Sequence, residues 1–335
     1  QQVDRVFGSR VEHRYLPWDL PLFLSNFFRR THPCLCIIVE TELRPKLLSG
    51  CKKRGIPVLL ANARLSERSA KGYSRFPKLT RLSLSCLNRV CAQHELDAQR
   101  FVTLGLPADR VRVTGSFKFD AEIPVELIQQ GREWRAKTGP RKMVWIAAST
   151  HQGEDEIALS AWKNLKEQGI DSLLVLVPRH PERFESVCQL ASKYSANVSK
   201  RSDEQLSLIT ELWVGDTLGE LPAYYEMSDV AFVGGSFSGT GGHNPLEPAL
   251  LGKPILMGPS RFNFQVITDQ LRQSGALTEV DDEAALTRSV AALFADPVHA
   301  TSMGAAGQQY VRESKGALHR LMAEIRSLLK PDSTR

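Results

Sequence analysis

Short apolar runs alternate along the chain with longer stretches whose apolar residues recur every three or four positions. The first pattern is that of buried strands, the second of amphipathic helices. In order, it predicts the tail of a helix over Val3–Phe7, a strand over Val11–Leu16, a helix over Leu22–Arg30 and a buried strand over Cys34–Glu40. A helix over Pro45–Arg54 stopping at Gly55, strands Val58–Ala61 and Arg89–Ala92, a helix His94–Leu104 and a strand Val111–Thr114 follow. After a helix over Val125–Lys137 the alternation restarts. Strands are expected at Met143–Ala147, Ser172–Val177, Ala196–Val198, Leu212–Val214, Val230–Val233 and Pro254–Met257. Helices are expected at Glu154–Gln168, Pro181–Lys193, Leu218–Met227, Pro245–Leu251, Phe264–Ser274, Glu283–Ala295 and Val298–Leu329. Such alternation implies parallel sheets with crossover helices, an α/β architecture. The boundary falls near Ile123-Pro124, between two domains of similar kind. A doubly wound domain normally opens with a strand at the sheet centre. Here a helix comes first, so the first domain is expected to be missing its opening βα units.

Length and composition agree with this picture. The chain has 335 residues, and a domain takes roughly 150. Hydrophobic residues at 42% and charged residues at 24% exclude a disordered, collagenous or coiled-coil protein. No apolar run approaches the roughly 18 residues that read as a membrane span; Leu35–Val39 and Leu173–Val177 are strand-length. The opening Gln1–Arg5 is not a signal peptide, and the missing initiator Met predicts a chain processed or cut from a longer one.

Charge is uneven. Residues 1–125 hold 21 Lys/Arg against 11 Asp/Glu, whereas the remainder is net acidic. Between Arg44 and Arg89 stand twelve bases and one acid, Glu67. The block suits an anionic partner such as nucleic acid, phospholipid head groups or a phosphorylated substrate; it also reads as a solvated basic face. The six cysteines (34, 36, 51, 86, 91 and 188) include Cys34-x-Cys36 on one face of a strand, with no second pair at metal spacing. They read as reduced thiols, which fits a cytoplasmic compartment.

The most specific stretch runs from Gly234 to Pro248, GGSFSGTGGHNPLEP, between a strand and a helix. Its glycines allow close backbone approach to a ligand. Asn244 stands where an N-cap would and Pro245 suits the first helical position. Free N–H groups at such a helix start attract phosphate, and Glu247 is placed to accept from ribose hydroxyls. The plainer alternative is a capped, Gly-rich turn. The dinucleotide fingerprint Gly-x-Gly-x-x-Gly is absent there.

Three other strand-end loops carry polar chemistry. In Pro178-Arg179-His180-Pro181, Arg179 can fork two donors onto a phosphate. Gly215-Asp216-Thr217-Leu218-Gly219-Glu220 has N–H groups for a base edge, though its acids also suit an ordinary helix start. Ala147–His151 is the third. Loops that converge on one strand-end face describe a nucleotide pocket. In the first domain, Glu40-Thr41-Glu42 ends a buried strand, Asn62–Ser69 is basic and hydroxyl-rich, and Gly115–Asp120 carries Lys118, expected at an interdomain cleft. A salt-bridged acid and a surface lysine are the plainer readings.

Taken together, Glu40-Thr41-Glu42-Leu43, Asn62–Ser69, Gly115–Asp120, Pro178–Phe184, Gly215–Glu220 and Gly241–Pro248 resemble the motif series of bacterial 3-deoxy-D-manno-octulosonic acid (Kdo) transferases, in order and through essentially the whole chain. The resemblance implies an inverting glycosyltransferase of GT-B type, with two Rossmann-like α/β domains facing across a cleft. These would be a truncated acceptor-side domain over residues 1–123 and a donor-binding domain over 124–330, with a terminal helix crossing back. It implies transfer of Kdo from CMP-Kdo to a lipid A precursor, lipid IVA, in lipopolysaccharide core biosynthesis at the cytoplasmic face of the inner membrane. By motif match, Pro178 and Arg179 contact the nucleotide, as do Leu218, Gly219 and Glu220. Asn244, Pro245, Leu246 and Glu247 take phosphate and ribose, and Glu40 and Lys118 stabilise the transition state. The resemblance places the general base and a membrane anchor before Gln1. It implies no cofactor and no metal, CMP-Kdo being a substrate. The expected partners are CMP-Kdo, the lipid A precursor and an anionic membrane surface met by the basic first domain. Arg44 stands where the family usually has Trp.

Two other readings remain at this level. A UDP-sugar transferase or sugar-nucleotide epimerase would share the architecture and prefer UDP. A basic nucleic-acid-binding protein would use the Arg44–Arg89 block, but the aromatic platforms that stack single strands are missing there, so no nucleic acid is expected.

Overall fold

The computed structural model describes residues 3, 7–140 and 142–329. They fall into two compact units. The first takes the described residues of 1–120 and 314–335, the second residues 121–313.

Unit 1 is built on four parallel strands in the order β1-β2-β3-β4: β1 Cys36–Val39, β2 Val58–Ala63, β3 Arg89–Ala92 and β4 Val111–Val113. Its helices are α1 Pro21–Thr31, α2 Pro45–Lys53, α3 Glu67–Ser74, α4 Pro77–Leu84 and α5 Glu95–Thr103. Alternate strand residues serve opposite faces. Val58, Leu60, Val90 and Ala92 pack with Leu48, Cys51, Leu84 and Phe101 from the helices on one face. Leu59, Ala61 and Cys91 face the other way, onto Leu321 of the final helix.

Unit 2 opens with α6, Val125–Lys137. A seven-stranded parallel sheet follows, comprising β5 Met143–Thr150, β6 Ser172–Pro178, β7 Val198–Lys200, β8 Leu212–Val214, β9 Val230–Val233, β10 Ile255–Met257 and β11 Leu277–Glu279. Its order is β11-β10-β9-β5-β6-β8-β7. The helices are α7 Glu154–Glu167, α8 Phe184–Ala191, α9 Leu221–Met227, α10 Leu246–Leu250, α11 Gln265–Gln273, α12 Glu283–Ala295 and α13 Pro297–Ser314; α14, Ala317–Leu329, returns to unit 1. Both sheet faces are covered. Trp145, Leu174, Val230 and Phe232 meet Leu159, Trp162, Leu286 and Val290 on one side. Ile146, Val175 and Trp213 meet Trp134, Tyr224 and Tyr225 on the other. Burial on both faces is why β5 and β6 read as unbroken apolar runs.

Several expectations change. Val11–Leu16 forms no strand; its residues are exposed and join neither sheet among the described residues. The segment 67–84 forms two helices, α3 and α4, that its charges concealed. The expected single helix Val298–Leu329 is two, parted at Gly316, whose φ of +92° ends one and starts the other. Asp120 then caps α14 from a distance, accepting the N–H groups of Gly316 and Leu318 at 2.6 Å each. Arg320 adds a bond to the Thr114 carbonyl, and Arg89 pairs with Glu324. The Val3–Phe7 helix lies largely outside the described residues.

Helix α6 crosses α9 at Gly131. A Cβ there would stand 2.5 Å from the Ala223 carbonyl oxygen and 2.6 Å from Glu226 Cβ. Gly131→Ala therefore overpacks the crossing and is expected to lower stability by roughly 1–3 kcal/mol. Thermal denaturation would read this as a drop in midpoint of about 2–4 °C per kcal/mol.

Candidate active site

In the unit 2 sheet, β6 lies on one side of β5 and β9 on the other. The carboxyl ends of β5 and β9 thus form the topological switch point, where open α/β sheets leave a crevice for ligands. The Gly-rich loop leaves β9 there. Gly234 N–H still donates to the Ala148 carbonyl at 2.8 Å. A Cβ on Gly234 would meet Ser149 O at 2.8 Å and Thr150 Cα at 2.9 Å, so only glycine lets the two loops approach this closely.

Glu154, at the first turn of α7, holds the loop in place. Its carboxylate is 1% exposed. One oxygen accepts from His151 N at 2.9 Å and Gly235 N at 2.7 Å. The other accepts from Phe237 N at 2.8 Å and Ser238 N at 3.4 Å. Charge-assisted bonds of this kind are the strong class. Beside it, Asp155 is fully buried and takes Thr150 Oγ1 at 2.5 Å and the Arg183 guanidinium. Arg183 also donates to the Thr150 carbonyl at 2.7 Å, and Arg179 N–H reaches the same oxygen at 3.1 Å. The ends of β5 and β6 are therefore tied together.

Three histidines gather over this point. His151 Nε2 and His243 Nε2 lie 2.8 Å apart with near-parallel rings, and His180 stands edge-on to His151. Burial, then the charges of His151 and Arg179, push His243 from the usual 6.5 down to about 4. His151 is lowered as well, chiefly by burial. With both rings favoured neutral, one Nε2–H can donate to the other Nε2.

The residues singled out from sequence fall as follows. Pro178 is buried at the end of β6, and Arg179 next to it is exposed, its guanidinium charge felt at both His243 and Glu247. Asn244 Oδ1 accepts from Leu246 N at 3.2 Å. The N-cap position itself is Pro245, so the expected assignment of Asn244 as N-cap and Pro245 as first helical residue shifts by one. Pro245 and Leu246 are buried and can offer a ligand little but backbone. Burial raises the Glu247 carboxyl, against Asn244 and Arg179. The five-residue α10 carries a weaker dipole than a full helix, so the anion-attracting character here rests more on Arg179.

At the end of β8, which neighbours β6, α9 starts at Leu221 rather than at Leu218. Leu218 is 72% exposed and Gly219 has φ +86°. Glu220 is engaged by Arg201 at 3.0 Å, Gln130 at 2.8 Å and the Thr217 hydroxyl, which hold its carboxyl below the usual range despite burial. Its carboxylate shapes the loop, leaving Leu218 and Gly219 as the accessible part.

Unit 1 has its own strand-end cluster. Glu40 follows β1 in the left-handed region, φ +62°. Burial and the neighbouring Arg64 push the Lys118 ammonium below its usual range, and Glu40 opposes them. Asn62, also left-handed, accepts Phe117 N at 3.3 Å and so fixes the turn that carries Lys118. Glu40, Arg64 and Lys118 form one charged group.

Sequence reasoning missed Glu154 and Asp155. Their only trace is an acid-rich helix start, which is common. The His151–His243 contact joins residues too far apart in sequence to be paired without the sheet order.

The class these features define is a glycosyltransferase of two parallel α/β units, and residues 132–310 match the family Glycosyl transferases group 1. A glycosyltransferase from Rickettsia africae shares the fold at a TM-score of 0.61 and 12% identity, over 99% of this chain and 88% of that one. The match of residues 1–121 is more particular, to 3-Deoxy-D-manno-octulosonic-acid transferase (kdotransferase). The 3-deoxy-D-manno-octulosonic acid transferase of Haemophilus influenzae is 40% identical over 99% of this chain and 77% of its own length. The chain belongs to the Kdo transferase family and is a glycosyltransferase. The C-terminal CMP-Kdo binding domain of WaaA from Acinetobacter baumannii is 31% identical, with a TM-score of 0.53 over 56% of this chain and 98% of that one.

Two predictions follow from the geometry. Glu154→Gln puts an amide NH2 where N–H donors converge. It should cost roughly 2–4 kcal/mol, more than one ordinary hydrogen bond, and hydrogen exchange at residues 235–238 should quicken. For the histidine pair, the fold favours the neutral ring, so the unfolded chain takes up the proton first. Stability from His243 is full above about 6.5 and is lost as pH falls toward about 4. The raised Glu247 acts in the opposite sense, so the readout is the difference between wild type and His243→Gln melting curves. The wild type should lose more stability on acidification, and parallel curves would refute the pairing.

Proposed function

We propose that the intact protein transfers Kdo from CMP-Kdo to a lipid A precursor in lipopolysaccharide biosynthesis, at the cytoplasmic face of the inner membrane. The observation that carries the donor assignment is the switch-point cluster of Arg179, Asn244 and Glu247 beside the Glu154-held loop, in a unit similar to a CMP-Kdo binding domain. The membrane placement rests on the basic Arg44–Arg89 segment. Among the described residues no helix is long and apolar enough to cross a membrane.

In this reading Arg179 and loop N–H groups meet the donor phosphate, Glu247 takes the ribose, and Pro178 with Leu218–Glu220 borders the base. Pro245 and Leu246 contribute through backbone. The acceptor hydroxyl oxygen attacks the anomeric carbon of Kdo and gives up its proton to a general base. The bond from that carbon to the CMP phosphate oxygen breaks, and its electron pair leaves with the phosphate. Negative charge grows on that phosphate and positive character on the sugar. Fixed cations and N–H donors stabilise the first, Lys118 being suited to the phosphate or the sugar carboxylate, and the Glu40 carboxylate stabilises the second. This charge stabilisation is assigned to side chains and backbone, with no resident metal or cofactor.

CMP should raise the melting temperature and UDP should not. At 100 times its dissociation constant a ligand adds about 2.7 kcal/mol, a shift of several degrees at roughly 2–4 °C per kcal/mol. Glu247→Ala should abolish the shift. A larger shift with UDP would favour a UDP-sugar enzyme instead.

A further inference from the structure

The rings of His151 and His243 are held through their backbones. His151 N–H donates to Glu154 at 2.9 Å, and His243 N–H to the Gly234 carbonyl at 3.1 Å. A Cβ on Gly235 would stand 2.8 Å from His243 Cδ2, so glycine lets that ring lie close against the loop. The two rings stack within 4° of parallel, centroids 5.1 Å apart, with the Nε2 atoms 2.8 Å apart.

That contact fixes how many protons the pair can hold. Two ring nitrogens at this distance need one N–H and one lone pair. One ring therefore carries its proton on Nε2 and has a bare Nδ1; the other carries its proton on Nδ1. Among the described residues no protein group hydrogen-bonds either Nδ1, and both rings are half-buried. A further proton can enter on the bare Nδ1 without breaking the contact, because the charged ring still donates through Nε2 to the neutral one. A second would set two Nε2–H donors face to face. The pair thus has room for one positive charge, and in that state both Nδ1 atoms are N–H donors.

Groups from the neighbouring loops decide whether that charge is taken up. Glu154, at the start of α7, favours it. Arg179, His180 and Arg183, from the loop after β6, oppose it at His151, as Arg179 and His180 do at His243; burial opposes it at both. Arg183 is engaged by Asp155 and the Thr150 carbonyl. Arg179 is exposed, and its charge also reaches Glu247 on α10. An anion seated on Arg179 cancels its repulsion and adds an attraction of its own, so anion binding and protonation of the pair favour each other.

We propose that the His151–His243 pair is a second anion-binding element at the switch point, taking up one proton from solvent as a phosphate ester binds beside Arg179. The inference rests on the donor reading given above and deepens it. The donor phosphate is met by the Arg179 guanidinium and by an imidazolium that forms only with the ligand, its Nδ1–H free to donate.

The test is calorimetry of the full chain with cytidine 5′-methylphosphate, whose phosphodiester does not titrate near neutral pH. At about pH 6, just below the ordinary histidine value, heats in MES and bis-Tris are compared. These buffers differ in ionisation enthalpy, so the difference in heat counts the protons taken up. Wild type should take up about one proton more than His243→Gln or His151→Gln, and should bind up to about tenfold more tightly at about pH 6 than at about pH 7. A proton released by Glu247 on meeting the ribose is common to all, so the difference is the readout. His180→Gln, outside the pair, should keep the uptake. Equal uptake in wild type and both pair variants, or its loss in His180→Gln, would overturn the proposal. In wild type itself, histidine ¹⁵N spectra should show a neutral ring becoming imidazolium on addition of the probe. Spectra that stay neutral while the probe binds defeat this inference alone, whether or not the variants fold, and leave the donor reading standing. No binding of the probe at either pH defeats both.

Discussion

The buried carboxylate of Glu154 is the point on which the donor-side geometry depends. A Gly-rich loop has many accessible conformations, and ordering it costs entropy. Glu154 offsets that cost with a full negative charge placed among backbone N–H groups of residues 151, 235, 237 and 238. The charge is tolerable in a dry site because its lone pairs are met. It stands at a helix start, where the dipole favours it. Asp155 does a parallel job for the next loop, through Thr150 and Arg183.

Two carboxylates are thus spent on architecture, which leaves the exposed Arg179 as a cation at the ends of β5, β6 and β9. The neutral histidine pair adds no further charge. The Glu154 and Asp155 carboxylates are occupied by protein donors, while the exposed Arg179 guanidinium can meet an incoming anion. A site arranged before the ligand arrives does not have to reorganise as charge develops. Glu220 follows the same logic at β8, bound by Arg201, Gln130 and Thr217.

Unit 1 depends on a part of the chain that arrives late. The face formed by Leu59, Ala61 and Cys91 is covered by Leu321 of α14. That helix begins at Gly316 and is capped by Asp120, the last residue before the chain enters unit 2. One aspartate therefore joins the exit and the return of the chain. The turn just before it carries Lys118, so the cap and the charged cluster share a short segment.

The fold was largely legible from local pattern. Strands β5, β6 and β9 are apolar on both faces and announce themselves; β11 and the register of β7 did not, being short edge elements. Helices α3 and α4 were hidden because α3 buries no residue and its neighbour few. Val11–Leu16 looked like a strand, yet a strand needs a partner and among the described residues it joins neither sheet. Among the proposed site residues, Arg179, Asn244, Glu247, Glu40 and Lys118 could be singled out because residue type and strand-end position carry chemical meaning. The sequence by itself determined the alternation of elements, the charge imbalance and the motif series that marks the family. Tertiary structure alone decided that Glu154 reaches residues some eighty positions away and that His151 meets His243. Those facts depend on strand order and helix packing, which bring together groups that no local periodicity relates.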